Sequence, residues 1–267
     1  MHIERYGTGE QLFFGLHGWS GDHTTFAPLA ERLPVSASLY AADLPCSGQS
    51  PAPSQWTLDT LTDEIAAGVA QVATSPITLI GNCSGALLSL LVAQKLPLQT
   101  QRLILIDPFA YWPWYFKVFV APGVGRFFYS VTFANPLGRW LTNRSLRNKR
   151  TAETDLTQSF SGVNHAAAHR QLVLLKDIAE PAQFNQLRMP IDIVYGARTF
   201  GAIKKSVAQW QAVWPQARCW ELPGAGHLPI EEATAHLSEI TFGRALRLAS
   251  LPVRQPHTNL LHRTIAL

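Results

Sequence analysis

The chain has 267 residues, of which 47% are hydrophobic and 15% charged, and its formal net charge is +4. This composition is typical of one large globular domain, or of one domain with an insertion, and no apolar run reaches the roughly 20 residues of a membrane-spanning helix. The positive charge is mild and its basic residues are not interleaved with aromatic ones, so we expect no nucleic-acid partner.

Three cysteines, Cys46, Cys83 and Cys219, are scattered along the chain. Their spacing is neither that of a metal site nor that of a disulfide framework, so we expect no metal ion, and we expect no cofactor. Thiols without a disulfide pattern are typical of reducing compartments, and the charged start of the chain carries no secretion signal. The sequence therefore predicts a cytoplasmic protein.

Apolar, strand-like runs alternate with helical stretches, an order that favours the α/β class with a mostly parallel central sheet flanked by helices. About 80 residues without a convincing strand separate Asp107 from Ile191, too many for a plain crossover helix. We therefore predict an inserted helical cap over residues 108–190, on a core formed by residues 1–107 and 191–267. Strands are predicted at 12–16, 39–43, 77–80, 101–107, 191–196 and 217–222, and helices at about 57–73 and 84–96.

A cysteine between two glycines, in Gly81-Asn82-Cys83-Ser84-Gly85, directly follows the predicted strand at 77–80. Glycines on both sides allow a sharp strand-to-helix turn that holds its central residue in a strained conformation at the top of a sheet. The N-terminus of the following helix stabilises a negative charge and so favours a thiolate. The pattern predicts Cys83 as a nucleophile; the alternative is a tight turn with a buried structural cysteine.

Four motifs stand in order along the chain: His17-Gly18, then Asp43-Leu44-Pro45 with Gly48 and Ser50, the elbow at Cys83, and Gly224-Ala225-Gly226-His227. With these motifs the chain resembles the α/β-hydrolase superfamily from about residue 12 to residue 240. Its N-terminal half is similar to small carboxylesterases of the biotin-pathway type and their C–C hydrolase relatives, which use serine where this chain has cysteine. A cysteine at the elbow resembles dienelactone hydrolases and polyhydroxyalkanoate synthases.

His227 lies in a glycine-rich loop beyond the last predicted strand. Imidazole titrates near neutral pH, so this side chain can take the thiol proton and return it to a leaving group, and we predict it as the general base. The alternative is a histidine of a surface loop. The resemblance implies that His17 braces the oxyanion loop and that the backbone N–H groups of Trp19 and Ser84 form the oxyanion hole.

The third member of the triad departs from the superfamily pattern. The loop after the strand at 191–196 is expected to carry an aspartate and instead contains Arg198 and Thr199. Asp107, at the end of the preceding strand, occupies a position that supplies the acid in some superfamily members, and we predict it as the carboxylate that orients His227. Two alternatives stay open: Asp107 caps its own loop, or the thiol, which needs less activation than a hydroxyl, works in a dyad.

Eleven of the 27 aromatic residues lie between Phe109 and Phe133. Such density suggests the roof of an apolar pocket, and we predict a substrate-binding role for Trp19 of the oxyanion loop and for the aromatic residues at the start of the cap. The alternative is that these rings bury the cap against the core. The predicted cap residues of the pocket are Phe109, Trp112, Trp114 and Tyr115.

A basic stretch follows the aromatic one within the predicted cap. Its charge suits the phosphates of coenzyme A or phosphopantetheine, or an acidic carrier protein, and the alternative is a solvated helix face. Further basic residues lie in the tail that begins at Arg244. The basic stretch contains Arg139, Arg144, Arg147, Lys149 and Arg150.

These features predict a hydrolase that forms an acyl-cysteine through Cys83 and releases the acyl group to water. The expected partner is a small-molecule acyl substrate, an apolar ester, lactone or thioester, either free or bound to coenzyme A or to a carrier protein. Two alternatives remain. In the first, an acyltransferase or cyclase passes the acyl-cysteine to a nucleophile other than water. In the second, a ligand-binding homologue has lost turnover, in line with the missing acid after residue 196.

Overall fold

The structure, a computed structural model, describes residues 1–176, 178 and 180–249, without the side chains of 244–249. The basic tail noted above therefore lies outside the side chains described. The strands are β1 (Ile3–Tyr6), β2 (Gln11–Leu16), β3 (Ala37–Ala42), β4 (Ile77–Asn82), β5 (Thr100–Ile106), β6 (Ile191–Gly196) and β7 (Arg218–Leu222). The α-helices are α1 (Ala27–Ala30), α2 (Leu58–Val72), α3 (Ser84–Lys95), α4 (Trp114–Phe119), α5 (Gly125–Tyr129), α6 (Pro136–Ser145), α7 (His165–Leu175), α8 (Gly201–Val213), α9 (Pro229–Glu232) and α10 (Thr234–Ala249).

All seven strands form one sheet of order β1-β3-β2-β4-β5-β6-β7. Only β1 is antiparallel to its neighbour; the other pairs are parallel. The predicted α/β class, with a mostly parallel sheet flanked by helices, is confirmed. The strand β1 adds an edge at the start of the chain, beyond the six strands predicted.

The central strands are buried on both faces, which explains their unbroken apolar runs. Because successive side chains of a strand point to opposite faces, Leu79 and Leu105 join one core, whereas Ile80 and Ile104 join the other. Residues of α2, α3 and α8 cover the first face, and residues of α1 and α10 cover the second. Both faces are thus closed, and a ligand site is left to the carboxyl ends of the strands.

Asp192 in β6 is buried and fully engaged away from those ends. Its carboxylate accepts hydrogen bonds from Arg102 Nε, Arg218 Nη2 and Trp220 Nε1, each at 2.7 Å. A buried carboxylate is tolerated where it is paired in this way. Asp192 therefore ties β5, β6 and β7 together and is not available to His227.

Residues 108–190, which we call the helical segment, connect β5 to β6. Their described part contains α4 to α7 with short 3-10 and π-helical turns, and no strand. Tyr129, Phe133 and Phe160 form an apolar cluster within it, and Trp19 packs against this cluster. The role of the helical segment as a cap remains a prediction. None of the helices described is both long and apolar enough to cross a membrane.

Candidate active site

Cys83 lies in the turn between β4 and α3 with a φ of 52° and a ψ of −111°. Non-glycine residues seldom adopt a positive φ, so this conformation is strained and must be held by its surroundings. The Cys83 N–H donates a hydrogen bond to the Ile106 carbonyl oxygen at 2.8 Å, which fixes the turn to the end of β5. A Cβ at Gly81 or Gly85 would approach backbone atoms to 2.4 or 2.1 Å. Both glycines are therefore required for the close turn.

Gly85→Ala is expected to destabilise the fold by about 3 kcal/mol, because overpacked interiors must shift their backbone. The added methyl group would lie 2.1 Å from the Leu16 carbonyl oxygen and 2.4 Å from that of His17. Urea unfolding of the variant measures the loss. Gly162→Ala is the matched control, since nothing lies within 4 Å of a Cβ there. Equal stability of the two variants would contradict the tight packing at Gly85.

His227 follows β7 in a loop that the helical segment holds in place. Its N–H donates a hydrogen bond to the Lys149 carbonyl oxygen at 2.7 Å, and a Cβ at Gly226 would lie 2.0 Å from that oxygen. The His227 side chain is only 15% exposed. Its ring interacts with both the Cys83 thiol and the Asp107 carboxylate. The structure thus brings together the predicted base and the predicted nucleophile.

Asp107 is fully buried at the carboxyl end of β5. Its Oδ2 lies 2.6 Å from His227 Nδ1, and its Oδ1 accepts a hydrogen bond from the Gly196 N–H at 3.2 Å. An ionised carboxylate only accepts hydrogen bonds, so Nδ1 carries the proton and Nε2 is left for the thiol. The structure places the predicted acid in the position to set the tautomer of His227.

Thr199 occupies the loop after β6, where the superfamily pattern places the acid. Its hydroxyl donates a hydrogen bond to Asp107 Oδ2 at 2.5 Å, and its Oγ1 lies 3.3 Å from His227 Nδ1. The loop therefore contacts the histidine through a hydroxyl group, while the carboxylate comes from β5.

The pKa of His227 reflects opposing effects. Burial disfavours the imidazolium, but hydrogen bonds with Asp107 and Cys83, together with their negative charges, outweigh burial and raise the pKa of His227 to about 10. The ring therefore holds a proton at neutral pH. At the other two cysteines, Cys46 and Cys219, burial raises the pKa and so disfavours the thiolate.

Two backbone N–H groups, those of Trp19 and Ser84, are available near the nucleophile. Neither has a hydrogen-bond acceptor among the residues that the structure describes. The loop that carries Trp19 comes close to the elbow, since a Cβ at Gly18 would lie 3.3 Å from the Cβ of Cys83. Unpaired N–H groups beside a nucleophile can stabilise the negative charge of an oxyanion by donating hydrogen bonds to it.

His17 supports this loop as a neutral side chain. It is fully buried, and its Nε2 accepts a hydrogen bond from the Leu44 N–H at 3.0 Å, so its Nδ1 donates to the Gly18 carbonyl oxygen at 2.7 Å. Burial lowers the pKa of His17, because the imidazolium would be desolvated. The geometry is that of a brace between the carboxyl ends of β2 and β3.

Aromatic rings enclose His227. The ring centroids of Phe109 and Phe200 lie 6.2 and 4.8 Å from that of the imidazole. Tyr115 contacts Phe200, and its hydroxyl is buried without a hydrogen-bond partner among the described residues. Burial raises the pKa of Tyr115, with smaller contributions from Tyr111 and Cys83. The neutral phenol of Tyr115 is therefore a buried hydrogen-bond donor without a partner among the described residues.

The three tryptophans predicted to bind substrate lie in different surroundings. Trp112 is half-buried and its Nε1 has no partner among the described residues. Trp19 donates a hydrogen bond from Nε1 to the Ala168 carbonyl oxygen at 2.8 Å and packs into the helical segment. Trp114 is 75% exposed. The structure does not bring Trp114 to the thiol, because it and the inward-facing Tyr115 are consecutive on a helix, about 100° apart.

A cavity of about 570 Å³ lies beside these rings. Phe109 and Trp112 form part of its wall, with Glu180 among the few polar groups, and neither Cys83 nor His227 lines it. Since Phe109 also contacts His227, one aromatic ring is shared by the cavity and the surroundings of the base. The further lining residues are mainly apolar and come from the stretch after β5 (Ala110 and Tyr111), from α3, α7 and α8, and from residues 178 and 180–184.

A model of the alpha/beta hydrolase family matches residues 13–236. The chain belongs to this family. Among curated relatives, pimeloyl-[acyl-carrier protein] methyl ester esterase of Xylella fastidiosa is 36% identical over 107 residues, 40% of this chain and 39% of that protein. Lipase LipV of Mycobacterium tuberculosis is 29% identical over 109 residues, 40% of this chain and 41% of that protein. The matches span about two fifths of the length of these relatives.

Solved structures with the same fold superpose over most of the chain. An esterase of Thermogutta terrifontis has a TM-score of 0.75 with 19% identity, and the match covers 92% of this chain and 93% of the esterase. At this identity the likeness shows the fold alone. The resemblance to the α/β-hydrolase superfamily is thus confirmed, and esterases of the biotin-pathway type are among the relatives in sequence.

Three contacts of this α/β-hydrolase site were not predicted, namely those of Thr199, Phe200 and Lys149. The sequence signal for Thr199 was its place in the loop that lacks the expected acid. Phe200 follows it, and Lys149 Nζ donates a hydrogen bond to the Thr199 carbonyl oxygen at 3.2 Å. No spacing rule links residue 149 to this loop, because the contact forms only when the helical segment packs on the sheet.

Two groups of side chains in the described part of the chain could hold a metal ion. His2, Glu4 and His23 place one potential ligand atom each within 4.8 Å of one another, and so do Asp22, His23 and Asp43. In the second group the Asp43 carboxylate already accepts a hydrogen bond from the His23 N–H at 2.7 Å. Neither group contains a residue of the Cys83 site.

Proposed function

We propose that the protein is a hydrolase that acts on apolar esters or thioesters through an acyl-cysteine intermediate at Cys83. The observation that carries this proposal is the hydrogen-bonded line from Thr199 through Asp107 to His227 and on to the thiol. The line ends at the strained turn after β4, and the N–H groups of Trp19 and Ser84 near this turn are unpaired among the described residues. Such an arrangement of nucleophile, base and orienting acid is suited to acyl transfer.

In the first half-reaction, the Cys83 thiolate attacks the carbonyl carbon and forms the C–S bond, while the carbonyl electron pair moves to the oxygen. The N–H groups of Trp19 and Ser84 stabilise this oxyanion. When the tetrahedral intermediate collapses, the bond to the leaving group breaks and the leaving group takes the proton from His227 Nε2. Asp107 keeps the other ring nitrogen protonated throughout.

In the second half-reaction, His227 takes a proton from water as the water oxygen attacks the acyl-cysteine. The C–S bond breaks, the carboxylic acid leaves, and the proton on His227 restores the starting ion pair with the thiolate. The enclosing rings of Phe109 and Phe200 strengthen these electrostatic interactions by keeping bulk water away.

The substrate class follows from the apolar surroundings of the thiol. We propose that the helical segment, residues 108–190, is a cap on the core and that the neighbouring cavity takes an apolar acyl chain. The names of the two curated relatives, a methyl ester esterase of an acyl-carrier protein and a lipase, support an ester as the reactive group. Coenzyme A or a carrier protein as the acyl donor, and a cytoplasmic location, stay predictions.

The test is mass spectrometry of the intact protein after rapid mixing with p-nitrophenyl esters and acyl thioesters of increasing chain length. We expect a transient mass increase equal to the acyl group, located on the Cys83 peptide, followed by release of the free acid. An adduct that persists in water and disappears on addition of an amine or alcohol would instead identify an acyltransferase. No adduct with any member of the panel would favour the ligand-binding alternative.

Trp112→Ala is expected to raise the preference for long over short acyl chains by at least about tenfold in relative kcat/KM. The substitution removes a large apolar side chain from the cavity wall and so enlarges the cavity. Activity against the ester series measures this preference, and thermal unfolding shows whether the fold is kept. Trp140→Ala is the matched control, since Trp140 is 57% exposed and does not line the cavity. An unchanged chain-length profile in Trp112→Ala would argue against the cavity as the acyl site.

A further inference from the structure

The outer surface of the helical segment has an unusual composition. Of the twelve large hydrophobic side chains exposed on the described residues, eight lie between residues 114 and 141. They include Trp114, Phe127, Phe128 and Trp140, with exposed fractions between 44% and 75%. Single exposed apolar residues are ordinary, but a cluster of this size marks an interaction surface.

The eight exposed side chains belong to one packed unit. Helices α4 and α5 pack on each other, and the π-helical turn of residues 130–134 packs on both α5 and α6. Along this run Tyr129 and Phe133 are buried towards Trp19, whereas Phe127, Phe128 and the nearby α6 side chains face outward. Because the inner rings already supply the packing, the outer rings are not needed for the core.

The same surface is strongly basic. Residues 108–152 contain seven lysines and arginines and no aspartate or glutamate. Of the basic stretch singled out in the sequence, Arg139 donates to the Phe133 carbonyl oxygen and is used inside the fold. The exposed cations are Lys117, Arg126, Arg144 and Arg147, and Arg144 lies over the ring of Trp140 with 5.7 Å between its Cζ and the ring centroid.

We propose that this surface, the exposed apolar and basic side chains of residues 114–147, docks on an anionic lipid bilayer. Exposed aromatic and aliphatic side chains insert at the boundary between lipid headgroups and acyl chains. The neighbouring basic side chains, in a stretch without acidic residues, are attracted by anionic lipids. Tryptophan is favoured at that boundary. The docking is peripheral, and it would place the helical segment against the bilayer.

Other occupants fit these observations less well. A second copy of the chain would bring two basic surfaces together, and the C-terminal stretch 250–267 contains Arg254 and Arg263 but no acidic residue. An acidic protein would match the charge, but protein interfaces centre on side chains seated in pockets, and none of the exposed rings of this surface lines the described cavity. Protruding side chains without a groove suit a deformable lipid surface.

The experiment is co-sedimentation of the full-length protein with phosphatidylcholine vesicles containing about one third phosphatidylglycerol, and with vesicles of phosphatidylcholine alone. We expect binding to the anionic vesicles that weakens at high salt, and quenching of tryptophan fluorescence by brominated lipid. The double variant Phe127→Ser, Trp140→Ser should lose binding by at least about tenfold, and Arg126→Gln, Arg144→Gln should lose the preference for anionic vesicles. The variant Cys83→Ala should bind like the wild type, so the result does not depend on the proposed chemistry.

The matched control is Val35→Ser, Leu98→Ser, which removes two apolar side chains, 94% and 90% exposed, that precede β3 and β5 and lie outside the helical segment. It should bind vesicles within about twofold of the wild type. Failure of the wild type to bind anionic vesicles, or equal losses in the control and the Phe127 variant, would overturn the proposal. So would a dimer or a complex with an acidic carrier protein that forms through Phe127 and Trp140 while vesicles are not bound.

Discussion

Replacing Cys83 by alanine is expected to lower kcat/KM for esters by at least about 10⁴-fold, because it removes the thiol that is proposed to form the covalent intermediate. The fold should be kept, since alanine fits the space of the thiol and the strained backbone is held by the Cys83 N–H bond to Ile106 and by the flanking glycines. Steady-state kinetics with a p-nitrophenyl ester and circular dichroism measure the two effects.

Cys46→Ala and Cys219→Ala are the matched controls and should keep the wild-type rate. Burial raises the pKa of both thiols, and neither lies at the turn after β4. Limiting iodoacetamide should therefore modify Cys83 first in the wild type. If peptide mapping finds Cys46 or Cys219 alkylated before Cys83, or if Cys83→Ala keeps its activity, the assignment of the nucleophile is wrong.

Replacing Asp107 by asparagine is expected to reduce the acylation rate by about 10²- to 10⁴-fold. The amide can donate a hydrogen bond to Nδ1 of His227, which would hold the proton on Nε2 and deprive the thiol of its base. The pair is close, with 2.6 Å between Asp107 Oδ2 and His227 Nδ1, so a change of tautomer is the expected consequence. Single-turnover kinetics of acylation measure the effect.

Thr199→Val is the control for Asp107→Asn. It removes the hydroxyl that donates to Asp107 but leaves the carboxylate beside His227. We expect a loss of about tenfold or less, since the acid still sets the tautomer. A loss below about threefold in Asp107→Asn would show instead that Cys83 and His227 work as a dyad, as the sequence left open.

The raised pKa of His227 makes part of the stability depend on pH, and Asp107→Asn should remove the share of it that Asp107 contributes. The ordinary histidine pKa is about 6.5, and in the folded protein the pKa of His227 is about 10, so the folded state holds this proton more tightly. The stabilisation is therefore fully present below about pH 6.5 and is lost as the pH rises through 10. The difference in free energy of unfolding between wild type and Asp107→Asn should narrow over this range, and a constant difference would contradict the ion pair.

The nucleophile elbow could be predicted from local sequence because the residues that form it are neighbours along the chain. A strand, a turn and a helix meet within the nine residues 77–85, so glycines at 81 and 85 and a cysteine between them indicate the elbow without any long-range contact. His227 was predicted from its place after the last strand, since parallel strands bring their carboxyl ends to one edge. The alternation of strands and helices similarly determined the fold class.

The tertiary structure alone decided which carboxylate meets His227 and which aromatic rings lie near it. The sequence left two alternatives, a triad that includes Asp107 and a dyad without it. Asp107 and His227 are 120 positions apart, and only the packing of β5, β6 and the last loop determines the distance between them. The sequence analysis also predicted the same role for Trp114 and Tyr115. In the structure these consecutive residues of α4 point in different directions, Trp114 to the surface and Tyr115 inward. The order of elements along the chain predicts which residues lie near the carboxyl edge of the sheet. The direction in which each side chain points depends on how separate elements pack together.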